Sequence, residues 1–227
     1  MIQKKISRII KKLIIGRNNS PLRKGKKENF IFIHINKTGG TSIAEAIGLP
    51  KKKHFFGLPK KKHFNVKEVI SIIGEESFKQ AFVFCVVRNP WDKVVSHYKY
   101  RVKSNQTNMA DDNISFRDWV KVTYGDIKNP FYYDKPKMFA TQSEWIKDEN
   151  GVIIVNNILR FESLSSDFEN ISKKLGITTK LPHLNATRKE HYSKYYDKET
   201  VDIVRKWFKE DIELFHYEFS KNDSNTV

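Results

Sequence analysis

The sequence predicts an α/β fold, a parallel sheet flanked by helices, and three observations carry that reading. Two runs, "FIFIHI" (30–35) and "AFVFCVV" (81–87), are apolar almost throughout instead of alternating. Strands of this kind are buried on both faces, as in parallel sheets covered by helices. Each run empties into a turn followed by a helical pattern, the order of a βα unit. Segments of helical spacing fill most of the remaining chain.

The elements follow in order. The opening "MIQKKISRIIKKLIIG" sets Ile2, Ile6, Ile9, Ile10, Leu13 and Ile14 at helical spacing among Lys4, Lys5, Arg8, Lys11 and Lys12. That is a basic amphipathic helix. Its longest apolar run, Leu13-Ile14-Ile15, falls far short of the roughly 20 residues a membrane span needs. No secretory signal is present either. Two uses are open to residues 1–15: peripheral contact with an anionic membrane, or packing on the protein's own body or a partner. "GRNNSPLRKGKKEN" reads as a linker, so residues 1–29 form an N-terminal segment and 30–227 a single domain. Within that domain the pattern gives a strand at 30–35, a short helix at 41–48, a helix at 66–79 and a strand at 81–87. Helices are expected at 91–103, 115–124, 136–147, 161–175 and 198–215. "GVIIV" (151–155) and "ILRF" (158–161) suggest one or two more strands. "LPKKKHF" occurs at 49–55 and again at 58–64, a local duplication suited to a surface loop.

The 227 residues carry a net charge of +16, unevenly placed. Ten Lys and Arg side chains fall in residues 1–29 against Glu28 alone, and seven lysines crowd into 51–67. Such a balance asks for an anionic partner without choosing among nucleic acid, lipid and acidic sugar. No helix-turn-helix, zinc or RNA-binding signature appears, so nucleic acid is not expected, and a polyanion-binding protein is the alternative of another class. The single cysteine, Cys85, sits inside an apolar run and reads as a buried, inert thiol. No His or Cys cluster has metal-ligand spacing, so no metal is expected.

Two stretches look built for anions. In "HINKTGGTS" a strand runs into Lys37, Thr38, Gly39, Gly40, Thr41 and Ser42. Backbone N–H groups and the start of a helix favour phosphate-like oxygens, Lys37 adds a charge, and the hydroxyls cap or donate. A triphosphatase loop has its lysine after the glycines, whereas here it comes before them, which weakens the alternative of a nucleotide kinase. "VVRNPWDKVVSHY" repeats the design with Arg88 at a strand end, Asn89-Pro90 opening a helix, and Ser96 about two turns on. Two cationic strand ends suggest a ligand with two separated anionic groups.

These two stretches resemble the cofactor signatures of the carbohydrate sulfotransferases, the branch with heparan 2-O- and chondroitin sulfotransferases and their bacterial relatives. "QSEW", "ILRFESLSSDFENISKKLG" and "LPHLNATRKEHYSKYYDKETVDIVRKWFKEDIELFHYEF" are similar to that family too, so the likeness covers about residues 30–219. The resemblance implies a kinase-like sheet of the P-loop NTPase type. It also implies 3′-phosphoadenosine 5′-phosphosulfate (PAPS) as donor and in-line transfer of its sulfuryl group to a sugar hydroxyl. Carried over by position, Lys37, Thr38, Gly39, Gly40, Thr41 and Ser42 hold the 5′-phosphosulfate, and Arg88 and Ser96 the 3′-phosphate. Thr187, Arg188 and Lys189 match a loop that closes over the nucleotide. The family commonly has proline where this chain has Asn36.

Loss of the acceptor's proton requires a base. His63, at the start of the helix between the two motifs, is the better match to the base of the heparan 2-O-type relatives. His54 and Glu45 are alternatives. His34 is expected to be structural, and His97 to orient its helix. The lysines of 51–62 with Phe131, Tyr132, Tyr133 and Trp145 are candidates to line a groove for an acidic saccharide or glycolipid. With neither signal nor anchor read in the sequence, a cytoplasmic enzyme, peripheral at the inner membrane face, is the expectation.

Overall fold

The structure, a computed structural model, describes residues 15–16, 30–48, 63–182 and 190–220. The chain divides into two compact units. One is Met1–Val87 with Glu144–Ala186, and the other Arg88–Ser143 with Thr187–Val227. Strands β1 (Ile15–Gly16), β2 (Phe30–Ile33), β3 (Phe82–Val87) and β4 (Asn157–Arg160) form one sheet in that order. The helices are α1 (Gly40–Ala46), α2 (Val66–Ile73), α3 (Glu75–Lys79), α4 (Pro90–Lys103) and α5 (Phe116–Tyr124). They continue with α6 (Pro136–Phe139), α7 (Gln142–Ile146), α8 (Leu164–Leu175), α9 (Lys198–Trp207) and α10 (Lys209–Phe215).

The first unit holds the sheet. β2 and β3 are parallel, with Phe30 opposite Phe82 and Ile33 opposite Cys85. β3 and β4 are parallel as well, with Phe84 opposite Asn157 and Val87 opposite Arg160. The α/β architecture with a parallel sheet flanked by helices is therefore the one the apolar runs predict. β1 is antiparallel to β2, with Ile15 opposite Ile31. This corrects the N-terminal reading at one point. Ile15 was expected in the helix and Gly16 in the linker, yet both pair with the backbone edge that β2 would otherwise leave open. Residues 1–14 and 17–29 lie outside the described residues.

Alternation along each strand assigns the faces. Phe30 and Phe32 of β2, Phe84 and Val86 of β3 and Leu159 of β4 form one core with Leu164, Phe168, Ile171 and Leu175 of α8. Ile43 and Ala46 of α1 join it. The intervening Ile31, Ile33, Cys85 and Val87 are also 0% exposed, so both faces are covered and no alternation survives in the sequence. Each such apolar side chain contributes about 1.5–3 kcal/mol by leaving water. Burial also pushes the Cys85 thiol far up, away from the reactive thiolate.

Three expected helices are broken, each for a local reason. The helix over 66–79 divides at Gly74, whose φ of 86° and ψ of 151° suit glycine alone. That over 136–147 divides at Ala140, which is extended (ψ 151°). That over 198–215 divides at Phe208, whose φ of −101° and ψ of 23° leave the helical range. "GVIIV" gives no strand, only a bridge from Ile153 to Lys147. The Asp148 carboxylate accepts the amides of Asn150 and Val152 and so favours a turn there.

The second unit is helical. Trp91, Val94 and Val95 of α4, Trp119, Val120 and Tyr124 of α5, and Phe139 pack with Tyr192, Val204 and Phe208. Short 3₁₀ turns lie at Gln106–Asn108 and Tyr192–Tyr195. Asn89 opens α4, its side chain accepting from the Trp91 amide, with Pro90 at the first helical position. Ser115 and Asp197 cap α5 and α9 in the same way.

Candidate active site

In the first unit, the chain leaves β2 at Ile33 and turns through Asn36 and Lys37 into α1. Lys37 has a φ of 66°, unusual for a side chain longer than Asn or Asp, and Gly39 has a φ of 84°. Left-handed backbone at these two places bends the strand into the helix within six residues. Gly39 caps α1 through its carbonyl, which accepts from the Ser42 amide at 3.0 Å. Thr38 is fully buried, and its hydroxyl donates to the Ile35 carbonyl at 3.0 Å. Its side chain thus stiffens the turn, and only its backbone N–H is left to meet an anion. Thr41 is exposed and Ser42 half-buried, so their hydroxyls are the better placed pair. Together they make a cradle suited to a tetrahedral oxyanion: left-handed turn, helix start, lysine and two hydroxyls.

His34 supports this loop from behind. A Cβ on Gly40 would come within 2.0 Å of its ring, so any larger residue there would have to displace the imidazole. The His34 ring stacks on Phe32 (centroids 5.4 Å, 22° between planes) and lies 4.4 Å from the ring of His63. His63 Nδ1 is 2.9 Å from the His34 carbonyl oxygen. A carbonyl only accepts, so Nδ1 carries the proton and the basic lone pair of the neutral ring belongs to Nε2. Asn65, two residues on, forms a capping box with Glu68, which fixes the start of α2 and the chain that carries His63. The Trp145 indole meets the His63 ring edge-on at 6.2 Å. Trp145 is 1% exposed, so it packs inside and is not available to stack on a saccharide. Glu45 lies on α1, half-buried.

In the second unit, Arg88 follows the last residue of β3. Its guanidinium is almost wholly buried, with Nε 2.8 Å and Nη2 2.6 Å from Asp92 Oδ2 one turn on. This pairing fixes the plane of the fork. Its backbone is gripped as well. The Gln142 side chain accepts from the Arg88 amide at 2.8 Å and donates to the Arg88 carbonyl at 2.9 Å. Ser96 lies half-buried on α4. His97 is a core residue whose ring packs on Trp119 and Phe139, with Nδ1 3.4 Å from the Tyr124 hydroxyl.

Asp211 stands behind Gln142. Its carboxylate accepts from the amides of Gln142 (2.7 Å) and Ser143 (2.8 Å), and it is fully buried. Desolvation raises its pKa above the ordinary value, while the two amides and the Lys93 charge pull the other way. Gln142 and Asp211 went unassigned from the sequence. The only signal was the stretch "QSEW", and the contacts join residues 54 and 69 positions apart. Thr187, Arg188, Lys189, His54 and the lysines of 51–62 lie outside the described residues. Among the described residues, no cluster of three His, Cys, Asp or Glu side chains is placed to hold a metal ion. No described helix is long and apolar enough to cross a membrane.

The protein is thus an α/β protein with a lysine- and glycine-bearing turn after β2 and a buried, ion-paired arginine after β3. Residues 22–218 match the sulfotransferase family, and the chain belongs to that family. It is 31% identical over 125 residues to a protein of Archaeoglobus fulgidus described as an uncharacterized protein, across 54% of this chain and 91% of that one. It is also similar to the crystal structure of a sulfotransferase from Alicyclobacillus acidocaldarius, at 16% identity and a TM-score of 0.45. That match covers 86% of this chain and 98% of the other.

Proposed function

We propose that this sulfotransferase moves a sulfuryl group from PAPS to a hydroxyl of a saccharide, free or lipid-linked, with His63 as the base. The observation that carries the reading is the 2.9 Å bond from His63 Nδ1 to the carbonyl of His34, three residues before Lys37. It ties a histidine of defined tautomer to the anion loop itself. The donor set suits the proposed ligand. Lys37, the amides of Gly39 and Gly40 and the hydroxyls of Thr41 and Ser42 take the 5′-phosphosulfate, with Thr38 contributing its backbone. Arg88 and Ser96 take the 3′-phosphate, and Thr187, Arg188 and Lys189 close over the nucleotide. Bound there, PAPS supplies a sulfuryl group activated by its link to phosphate.

The chain's own work is positioning, charge and one proton. Lys37 opposes negative charge that grows on the phosphate oxygen as the sulfuryl group departs. His63 Nε2 takes the acceptor hydroxyl's proton, while the Nδ1–H bond to His34 holds the ring and supports the imidazolium that results. The Lys37 loop needs no metal in this scheme. Phe131, half exposed, with Tyr132 and Tyr133 beside it, remains the candidate surface for sugar rings. An acceptor at the inner membrane face, reached through residues 1–15, fits the charge of that segment.

The test is transfer of radiolabelled sulfate from PAPS onto saccharide acceptors by wild type and His63→Ala, beside binding of adenosine 3′,5′-bisphosphate and ATP. His63→Ala should lose about 10²–10⁴-fold in turnover, with bisphosphate affinity within about twofold of wild type. Unchanged turnover removes His63 from the role. Tighter binding of ATP than of the bisphosphate overturns the donor.

A further inference from the structure

Gln142 is fully buried, and both ends of its side-chain amide are committed to the backbone of one residue, Arg88. Such a two-bond clamp on a single residue's N–H and C=O acts as a strand partner would. It fixes the peptide planes on both sides of the Arg88 Cα, and with them the direction of its side chain. The clamp is itself anchored. Asp211 holds the amides of Gln142 and Ser143, Glu210 accepts from the Ser143 hydroxyl at 2.9 Å, and Lys93 donates to the Ala140 carbonyl at 3.5 Å. Past Arg88, the Asn89 side chain donates to the Glu218 carbonyl at 2.9 Å. A buried carboxylate is costly to keep, and here it serves the four-residue segment 140–143 that presents Gln142 to Arg88.

We propose that Gln142 is the positioning residue for Arg88, and that Asp211 sets Gln142, so that together they determine how strongly the protein recognises the 3′-phosphate of its nucleotide. Gln142 touches no ligand in this role. It makes the guanidinium's direction a property of the fold, already set before the nucleotide arrives. The inference rests on the reading of Arg88 as the 3′-phosphate ligand.

Both can be tested with two nucleotides that differ only in that group, adenosine 5′-monophosphate and adenosine 3′,5′-bisphosphate. The quantity read is the ratio of their dissociation constants for the full chain, in wild type, Arg88→Lys and Gln142→Glu. The glutamate has glutamine's shape and still accepts from the Arg88 amide, but its ionised form cannot donate to the Arg88 carbonyl, so the ratio is read as a function of pH. Wild type should prefer the bisphosphate, and Arg88→Lys should erase most of that preference. Gln142→Glu should cut the ratio by about tenfold while monophosphate affinity stays within about twofold. A wild type without preference for the bisphosphate sinks the reading of Arg88, and the inference with it. A wild type and Arg88→Lys that behave as expected, with Gln142→Glu either unchanged or weaker for both nucleotides alike, sinks the positioning role alone. Asp211→Asn loosens the same clamp from its far end and is read in the same way should Gln142→Glu fail to fold.

Discussion

The turn after β2 and the turn after β3, the two places proposed to take an anion, are built by opposite means. The first is made of backbone. Its curvature comes from left-handed Lys37 and Gly39, and its close packing from Gly40 lying against His34. The second is made of side chains. Asn89 and Pro90 start α4 without left-handed residues, Asp92 aims the Arg88 guanidinium, and Gln142 grips the Arg88 backbone. A backbone cradle suits a group that must react, because its donors are short and fixed. A side-chain clamp suits a group that must only be recognised, because each bond in it can be tuned separately. The two differ in what breaks them.

The largest effect is expected at the charge of the first turn. Lys37→Ala removes its cation and should lower kcat by about 10²–10³-fold, as loss of one charge-stabilising donor does. Bisphosphate affinity should change far less, and a kcat within threefold of wild type would place the charge stabilisation elsewhere. Next comes the packing of that turn. Gly40→Ala forces a methyl into the His34 ring, which should cost about 1–3 kcal/mol of stability. Since His34 also holds His63, turnover should fall with stability, as thermal unfolding and the transfer assay would show together. The smallest effect belongs to the second turn. Asn89→Ala deletes one cap and the bond to the Glu218 carbonyl and should cost about 1–2 kcal/mol, lowering Tm by a few degrees in a chain of this size. Catalysis in the surviving folded protein should stay near wild type. A larger loss of turnover there than at Gly40 would reverse the contrast between the turns.

Much of this was legible in the sequence because it is local. Continuous apolar runs gave β2 and β3, and the order lysine, glycine, glycine, hydroxyl gave the first turn. Asn-Pro after an arginine gave the second. What stayed hidden depends on backbone angle or distant contact. The 66–79 and 198–215 patterns keep their apolar period across Gly74 and Phe208, so neither break shows in the spacing. The strand read in "GVIIV" failed because Asp148 captures the Val152 amide and folds the start of the segment into a turn. Trp145 has the composition of a sugar platform, yet burial beside His63 gives it to the interior. Gln142 and Asp211 are ordinary polar letters until the fold brings them to Arg88.

The lone thiol of Cys85 gives the molecule a private clock. It lies in the middle of β3, opposite Ile33 on one side and Ile158 on the other, with no accessible surface. A thiol reagent added to the native protein meets no other cysteine and cannot reach this one until the three parallel strands part. The rate at which label appears therefore counts openings of the sheet that carries the first turn, without any engineered probe.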